Sequence, residues 1–434
     1  MTFAEVKLWG KSIGAVSWDE AGGLAHFEYV PDFVHSGIEV APLTMPLSKQ
    51  IYSFPALPRE TFHGLPGLLA DSLPDDFGHA LINVWLANQG RLPDSFNSVE
   101  RLCYTGIRGM GALEYLPSRG PFKGTSESID IQALVQLASK ILTKRNAIQG
   151  SFDPELREDS LQDILRVGTS AGGARAKAII AWNQKTNEVR SGQVKAGEGY
   201  SYWLLKFDGV SGNRDKELED PAGYGLIEYA YYHMAKKAGI DMKESRLLKE
   251  NGRSHFMTKR FDRTDSGRKI HMQSLCAMAH FDFKKAGAHS YEQALLTIRK
   301  LGMPMAMIEE QFRRMAFNII GRNQDDHVKN IAFLMDQSGN WSLSPAFDTT
   351  YSYNPQGDWT RRHQMSLNGK RDDFTIEDFK ACAKNASMKR GRAEDIVRQV
   401  QEAVSQWKLF ADESGVLPAV ANEIATVHRT DILK

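Results

Sequence analysis

The run Asn323-Gln324-Asp325-Asp326-His327-Val328-Lys329-Asn330, followed eighteen residues later by Asp348 in Ser344-Pro345-Ala346-Phe347-Asp348, holds the residue types that phosphoryl transfer to a hydroxyl requires. Such chemistry uses one carboxylate to orient the attacking hydroxyl and take its proton. It uses an Asn and an Asp to hold the metal ions that bridge the nucleotide phosphates. Asp325 and Asn330 have the five-residue separation of a kinase catalytic loop, and Asp348 is the right type for a second metal ligand. The same residue types also serve as helix caps and turn formers, so the spacing needs support from its surroundings. The neighbouring Asp326 leaves a choice of base: the spacing favours Asp325, with Asp326 capping the next turn or repelling a second phosphate.

The elements that must position this loop are legible around it. Met315-Ala316-Phe317-Asn318-Ile319-Ile320 reads as the apolar end of a helix, and Gly321 can stop it. After the polar loop, Ile331-Ala332-Phe333-Leu334-Met335 is strand-like, and Ser338-Gly339-Asn340 can turn a hairpin that leads back toward Asp348.

A phosphate-cradling loop and a lysine should lie upstream. Gly168-Thr169-Ser170-Ala171-Gly172-Gly173-Ala174-Arg175-Ala176-Lys177 supplies glycines that let backbone N–H groups approach an anion. It is neither Gly-x-x-x-x-Gly-Lys, because Ala174 stands where the lysine would be, nor Gly-x-Gly-x-x-Gly. An ordinary flexible turn remains its other reading. Tyr202-Trp203-Leu204-Leu205-Lys206-Phe207 is an apolar strand with one lysine in it. Lys206 is either an edge-strand guard against aggregation or the contact to the nucleotide phosphates. Glu228, on the helical stretch Leu226–Ala235, is either its ion-pair partner or a solvated surface residue.

Length and composition are those of a multi-domain globular chain: 434 residues, 42% hydrophobic and 25% charged. A formal net charge of +1 argues against the chain coating nucleic acid by itself. Cys103, Cys276 and Cys382 show no metal or disulfide spacing. The N-terminus lacks a charged-then-apolar signal pattern and no run reaches the ~18 apolar residues of a membrane span, so a cytoplasmic protein is expected. Residues 1–125 mix short strands with a helix at Gly78–Leu86, and Pro117–Pro121 marks a boundary. A nucleotide-binding region is expected over 126–260, and helices over 261–434 at Ser290–Leu296, Met307–Ile320 and Ala393–Phe410.

Several blocks together resemble the HipA family, the serine/threonine kinase toxins of HipA–HipB toxin–antitoxin systems. They are Leu73-Pro74-Asp75, Arg108-Gly109-Met110-Gly111-Ala112-Leu113-Glu114, Ser170 to Lys177, Lys259-Arg260-Phe261-Asp262-Arg263, and Asp325 to Asn330. The resemblance implies an α+β, two-lobed, protein-kinase-like fold with a mixed α/β N-terminal region and an all-helical C-terminal lobe. It implies ATP and Mg2+ as cofactors, Asp325 as the catalytic carboxylate, and Asn330 and Asp348 on magnesium. Gly172, Gly173, Ala174, Arg175, Ala176 and Lys177 would line the triphosphate, with Lys206, His327 and Lys329 near the phosphates. The backbone of Lys259, Arg260 and Phe261 would meet adenine. Ser170 falls on the family's autophosphorylated serine, where a phosphate would expel the loop and inactivate the kinase.

The same resemblance implies a HipB-like helix-turn-helix antitoxin, operator DNA bound through it, and a translation-related protein substrate such as glutamyl-tRNA synthetase. No His-Arg-Asp is present and Asp348 is followed by Thr349-Thr350, so a flipping metal-ligand switch is not implied. Two basic patches stand outside this account. Lys384 with Lys389-Arg390-Gly391-Arg392 offers Lys389, Arg390 and Arg392 as DNA-phosphate contacts, while Arg361-Arg362-His363 follows Trp359 with no assigned role beyond solvated surface. A catalytically weak corepressor scaffold, or a small-molecule or lipid kinase, is the alternative reading.

Overall fold

The computed structural model describes residues 2–92, 95–120, 126, 128–144, 175–210, 214–215, 218–219 and 223–433. Ser170, Gly172, Gly173 and Ala174 therefore lie outside the described residues. The chain forms two compact units: residues 1–222, 248–272 and 335–339 make the first, and 223–247, 273–334 and 340–434 the second. The expected division near residue 125 falls inside the first unit.

The first unit carries two antiparallel sheets. Strands β1 (Thr2–Leu8), β2 (Lys11–Asp19), β3 (Leu24–Tyr29) and β4 (Leu113–Leu116) form one, in the order β3-β2-β1-β4. The second sheet begins with β5 (Lys177–Asn183), β6 (Glu188–Ser191) and β7 (Ser201–Lys206). A short ribbon, β8 (Arg214–Asp215) with β9 (Leu218–Glu219), follows. Strands β10 (Ser245–Glu250) and β11 (Arg253–Lys259) complete the second sheet in the order β10-β11-β7-β5-β6.

Helices Asp76–Asn88 and Ile131–Lys144 bury Phe77, Leu81, Leu134 and Val135 against Ala178, Ile180, Trp203 and Leu205 of this sheet. Alternate residues of β7 thus go to the core, as the period of two requires. β7 is the middle strand, so Lys206 is not guarding an edge; that reading is corrected by the topology.

Two sequence blocks of the first unit are joined by one buried carboxylate. Asp262 accepts Arg260 Nε and Nη2 at 2.8 and 2.7 Å, Arg263 Nη1 at 2.8 Å and the Gly111 N–H at 2.7 Å. Arg263 also donates to the carbonyls of Gly109 and Gly111. Gly111 has φ +72, and a Cβ there would meet the Met272 amide at 2.9 Å, so the block requires glycine. Burial alone would raise the Asp262 pKa, but the two guanidinium charges hold it well below the usual carboxylate range.

The second unit is built on helices Tyr224–Lys237, Tyr291–Lys300, Met305–Ile320, Ile376–Asn385, Arg392–Val404, Trp407–Ser414 and Pro418–Val427. The apolar run expected as one helix over Ala393–Phe410 breaks at Ser405-Gln406 into two. Strands β12 (His271–Ser274), β14 (Ala332–Met335) and β15 (Trp341–Leu343) form a three-stranded sheet, and within the second unit β13 (His289–Ser290) and β16 (Met365–Ser366) form a parallel pair. "All-helical" is therefore too simple for this region. The small sheet is what turns the chain from the loop at 323–330 back toward Asp348. Among the described residues no helix is long and apolar enough to cross a membrane.

Candidate active site

In the second unit, helix Met305–Ile320 ends at Gly321, whose N–H returns to the Phe317 carbonyl, as expected of a stop at this position. Asn323 then ties the loop together. Its N–H and Nδ2 bond back to the Asn318 carbonyl and Oδ1, and its Nδ2 also donates to the Asp348 carbonyl at 3.3 Å. Asp348 has φ +50, a left-handed conformation that is sparsely populated for a residue with a side chain and is held here by its neighbours. The loop closes in one tight turn, Val328–Asn330, where the Asn330 N–H bonds to the His327 carbonyl. Asn330 Nδ2 donates to the Asp325 carbonyl at 2.9 Å, so the five-residue spacing is a hydrogen-bonded contact.

The paired carboxylates divide cleanly. Asp326 is buried and accepts from the Tyr291 hydroxyl at 2.5 Å, His363 Nδ1 at 2.7 Å and the Gln364 N–H at 2.7 Å. It neither caps the next turn nor faces a phosphate; both expectations are corrected by its three buried donors. Burial pushes its pKa up, yet these donors more than offset that and hold the carboxyl below its ordinary value. Burial likewise holds His363 below the usual imidazole range, with Asp326 opposing and Arg429 and Arg322 adding to the effect. A neutral His363 that donates from Nδ1 accepts at Nε2 from Arg429 Nη1 at 3.2 Å. His363, read from sequence as part of a surface patch, is instead fully enclosed.

Asp325 keeps partial exposure. Its Oδ1 accepts the Trp359 indole N–H at 2.6 Å, and His327 Nε2 lies 3.8 Å from the same oxygen. Gln364 closes the circuit: its amide donates to the Trp359 carbonyl while its backbone N–H is held by Asp326. Phe283 packs 5.3 Å from the His327 ring, and Lys329 Nζ stands 5.2 Å from the centre of Phe283. Trp359, Gln364 and Tyr291 carried no signal in the sequence, because nothing about their spacing ties them to residue 325.

The residues predicted to meet a nucleotide from the first unit fare unevenly. Lys206 is half-buried, with Nζ 5.8 Å from the centre of the Phe256 ring. Lys177 sits directly across from it in register. Lys177 Nζ makes a buried ion pair with Asp75 at 3.1 Å, and Asp75 also caps helix Asp76–Asn88 through the Gly78 N–H. That inward turn corrects the expectation that Lys177 lines a triphosphate, and it lets two like charges lie opposite each other on adjacent strands. The Arg260 N–H donates to the Tyr202 carbonyl and its guanidinium to Asp262, so neither is left for adenine. Lys259 pairs with Asp265 at 2.7 Å. Arg175 and Ala176 lead into β5, with Ala176 accepting the Phe207 N–H. In the second unit Glu228 is buried, not a solvated surface residue. In the distal basic patch Lys389 and Arg390 are exposed, whereas Arg392 Nε donates to Glu309 at 2.9 Å.

The class these features define is a mixed α/β, kinase-like fold whose second unit carries the loop at 323–330. Residues 169–407 match the model of the HipA-like C-terminal domain and residues 4–116 that of the HipA N-terminal domain; the chain belongs to the HipA family. A chain of the Shewanella oneidensis toxin–antitoxin complex of HipA, HipB and operator DNA has the same fold. Its TM-score is 0.66 at 17% identity, covering 98% of this chain and 96% of that one. A Haemophilus influenzae protein described as a putative kinase is 28% identical over 159 residues. The match spans 33% of this chain and 46% of that protein's length.

Proposed function

We propose that the chain is an ATP- and Mg2+-dependent serine/threonine protein kinase acting as the toxin of a toxin–antitoxin pair. The observation that carries this reading is the division of labour between Asp325 and Asp326. One carboxylate is saturated and buried, and the other is oriented by an indole and left partly exposed. A scaffold with no turnover would have no need of that arrangement.

In this reading Asp325 accepts the proton of a Ser or Thr hydroxyl as its oxygen bonds to the γ-phosphorus and the bond to ADP breaks. Asn330 Oδ1 and the Asp348 carboxylate are the hard oxygen donors that would hold magnesium. Asn330 fits because its Nδ2 is committed to the Asp325 carbonyl, which fixes the amide's orientation. Magnesium, when bound, neutralises the phosphate oxygens. Lys206 and the glycine-rich segment containing Gly172, Gly173 and Ala174 in the first unit, and His327 and Lys329 in the second, are the residues proposed to meet phosphates. Ser170 is the proposed self-phosphorylation site and a translation-related protein, such as an aminoacyl-tRNA synthetase, the proposed target. A HipB-like helix-turn-helix antitoxin would carry the chain on operator DNA, with Lys389 and Arg390 available for phosphate contacts.

The test is intact-mass spectrometry with peptide mapping after incubation with ATP and Mg2+, using Asp325→Asn as control. One added phosphate on Ser170, absent in the control, is the expected result. ATP binding without any added phosphate, on protein first freed of phosphate, would move the reading to a corepressor or a non-protein substrate. No ATP binding would overturn it.

A further inference from the structure

The Arg361-Arg362 pair is not used by the mechanism above, and its position gives it a role. Trp359 is bonded to Asp325, so the chain passes from the candidate base to two exposed arginines within three residues. His363 and Gln364, the next two residues, are fixed by Asp326, and the arginines are thus carried on a strap anchored at both ends. Arg371 belongs to the same group. Its Nε donates to the His363 carbonyl at 2.6 Å, and after burial and against the pull of Asp326, the charges of Arg362 and Arg361 push its pKa down. A facing loop is pinned to the strap by the Gly287 N–H on the Gln364 carbonyl at 2.8 Å, and this loop carries exposed Lys284 and Lys285. Asp358 and Asp282 are the acidic residues of the strap and the facing loop, and Asp282 Oδ1 caps its own turn at the Lys284 N–H; beyond Arg371, Asp372 is paired with Arg322 and Arg429, and Asp373 is exposed.

Like charges held together by backbone anchors repel one another, and on a chain of net charge +1 this concentration is local. A partner of opposite charge relieves that repulsion and is steered to the surface. We infer that the strap and facing loop form a docking surface for an acidic segment of a protein substrate, presenting a Ser or Thr hydroxyl beside Asp325. Arginine forks suit carboxylates in particular. A polynucleotide fits less well, because binding of single strands relies on open aromatic faces. The aromatics here are engaged: Phe283 lies against His327 and Lys329, and the Trp359 N–H is bonded to Asp325.

This inference rests on the kinase reading, and two measurements separate them. In the first, fluorescence anisotropy on the full chain compares a labelled Ser-containing peptide flanked by Asp and Glu with its Lys/Arg-flanked counterpart. The acidic peptide is expected to bind at least about tenfold tighter at low ionic strength, with the preference shrinking as salt rises. Arg361→Gln/Arg362→Gln should remove the preference without moving the thermal midpoint; should that variant fail to fold, Lys284→Gln/Lys285→Gln serves in its place. In the second, phosphate incorporation into the two peptides is followed, with the KM for ATP measured alongside. Equal binding of the two peptides overturns the docking surface, as does a raised KM for ATP in the arginine variant, which would assign the arginines to the nucleotide. Competition by polyuridylate with no preference between peptides overturns it in favour of nucleic acid. Preferential binding without phosphotransfer in the wild type would instead reject the kinase reading alone.

Discussion

Each of the two units buries a carboxylate at the centre of a polar cluster, and the two are met by different partners. Asp262 of the first unit is met by two permanent guanidinium charges and a backbone amide. Asp326 of the second is met by a phenol, an imidazole and a backbone amide. The first cluster is a fixed ion network that clamps sequence blocks 151 residues apart, from Gly111 to Asp262. The second meets its carboxylate with no guanidinium directly, Arg429 reaching only the far nitrogen of His363, and it positions a strap whose indole reaches Asp325. Permanent charge suits a structural joint. Directional donors suit a strap that has to hold one indole in place.

The most direct way to break the comparison is to remove each acid. Asp262→Ala strands two buried guanidinium groups, at a cost of about 3–5 kcal/mol in chemical unfolding. A loss under about 1 kcal/mol would show that the cluster is not the joint described.

A second, smaller effect is expected on acidification. Burial lowers His271 of the first unit and His428 of the second to about 4. Because these folded-state values lie below the unfolded value of 6.5, the unfolded chain binds protons first as pH falls. Stability is full above pH 6.5, declines toward pH 4 and changes no further on their account below that. For His271 the total is at most about 3 kcal/mol, read from denaturant midpoints across this range. His271→Gln should flatten the curve, and an unchanged slope would reject the assignment.

Asp326→Asn keeps the size of the side chain and loses its charge, which should cost about 1–3 kcal/mol, less than Asp262→Ala. Phosphotransfer should fall with it, since the Gln364 and His363 anchors of the strap are weakened. A loss of stability with full activity would separate the cluster from the site. The smallest effect is expected from Trp359→Phe, which deletes one N–H. It should lower kcat by about tenfold, leave KM for ATP unchanged and shift stability by no more than about 1 kcal/mol. A wild-type kcat would show that the indole does not orient Asp325.

The sequence itself determined the local parts. The Asp325–Asn330 spacing, the Gly321 stop, the strand run into Met335 and the turn at Ser338–Asn340 are all set by interactions within a few residues, and residue type reveals those. The glycines of the Arg108–Glu114 block are marked in sequence too, although their reason, the Met272 amide against Gly111, is a contact across 161 positions.

What the tertiary structure decided is which charged groups are exposed. Asp325 and Asp326 are chemically identical neighbours, and only the arrival of Tyr291, His363 and Gln364 from distant elements buries one of them. Lys177 and Lys206 face each other across adjacent strands, and only Asp75, a hundred residues away, turns the first inward. Arg361, Arg362 and His363 are consecutive and basic, yet one is enclosed and two are exposed. The work of desolvating a charge depends on what surrounds it in space, and a linear pattern carries no information about that surrounding until the chain has packed.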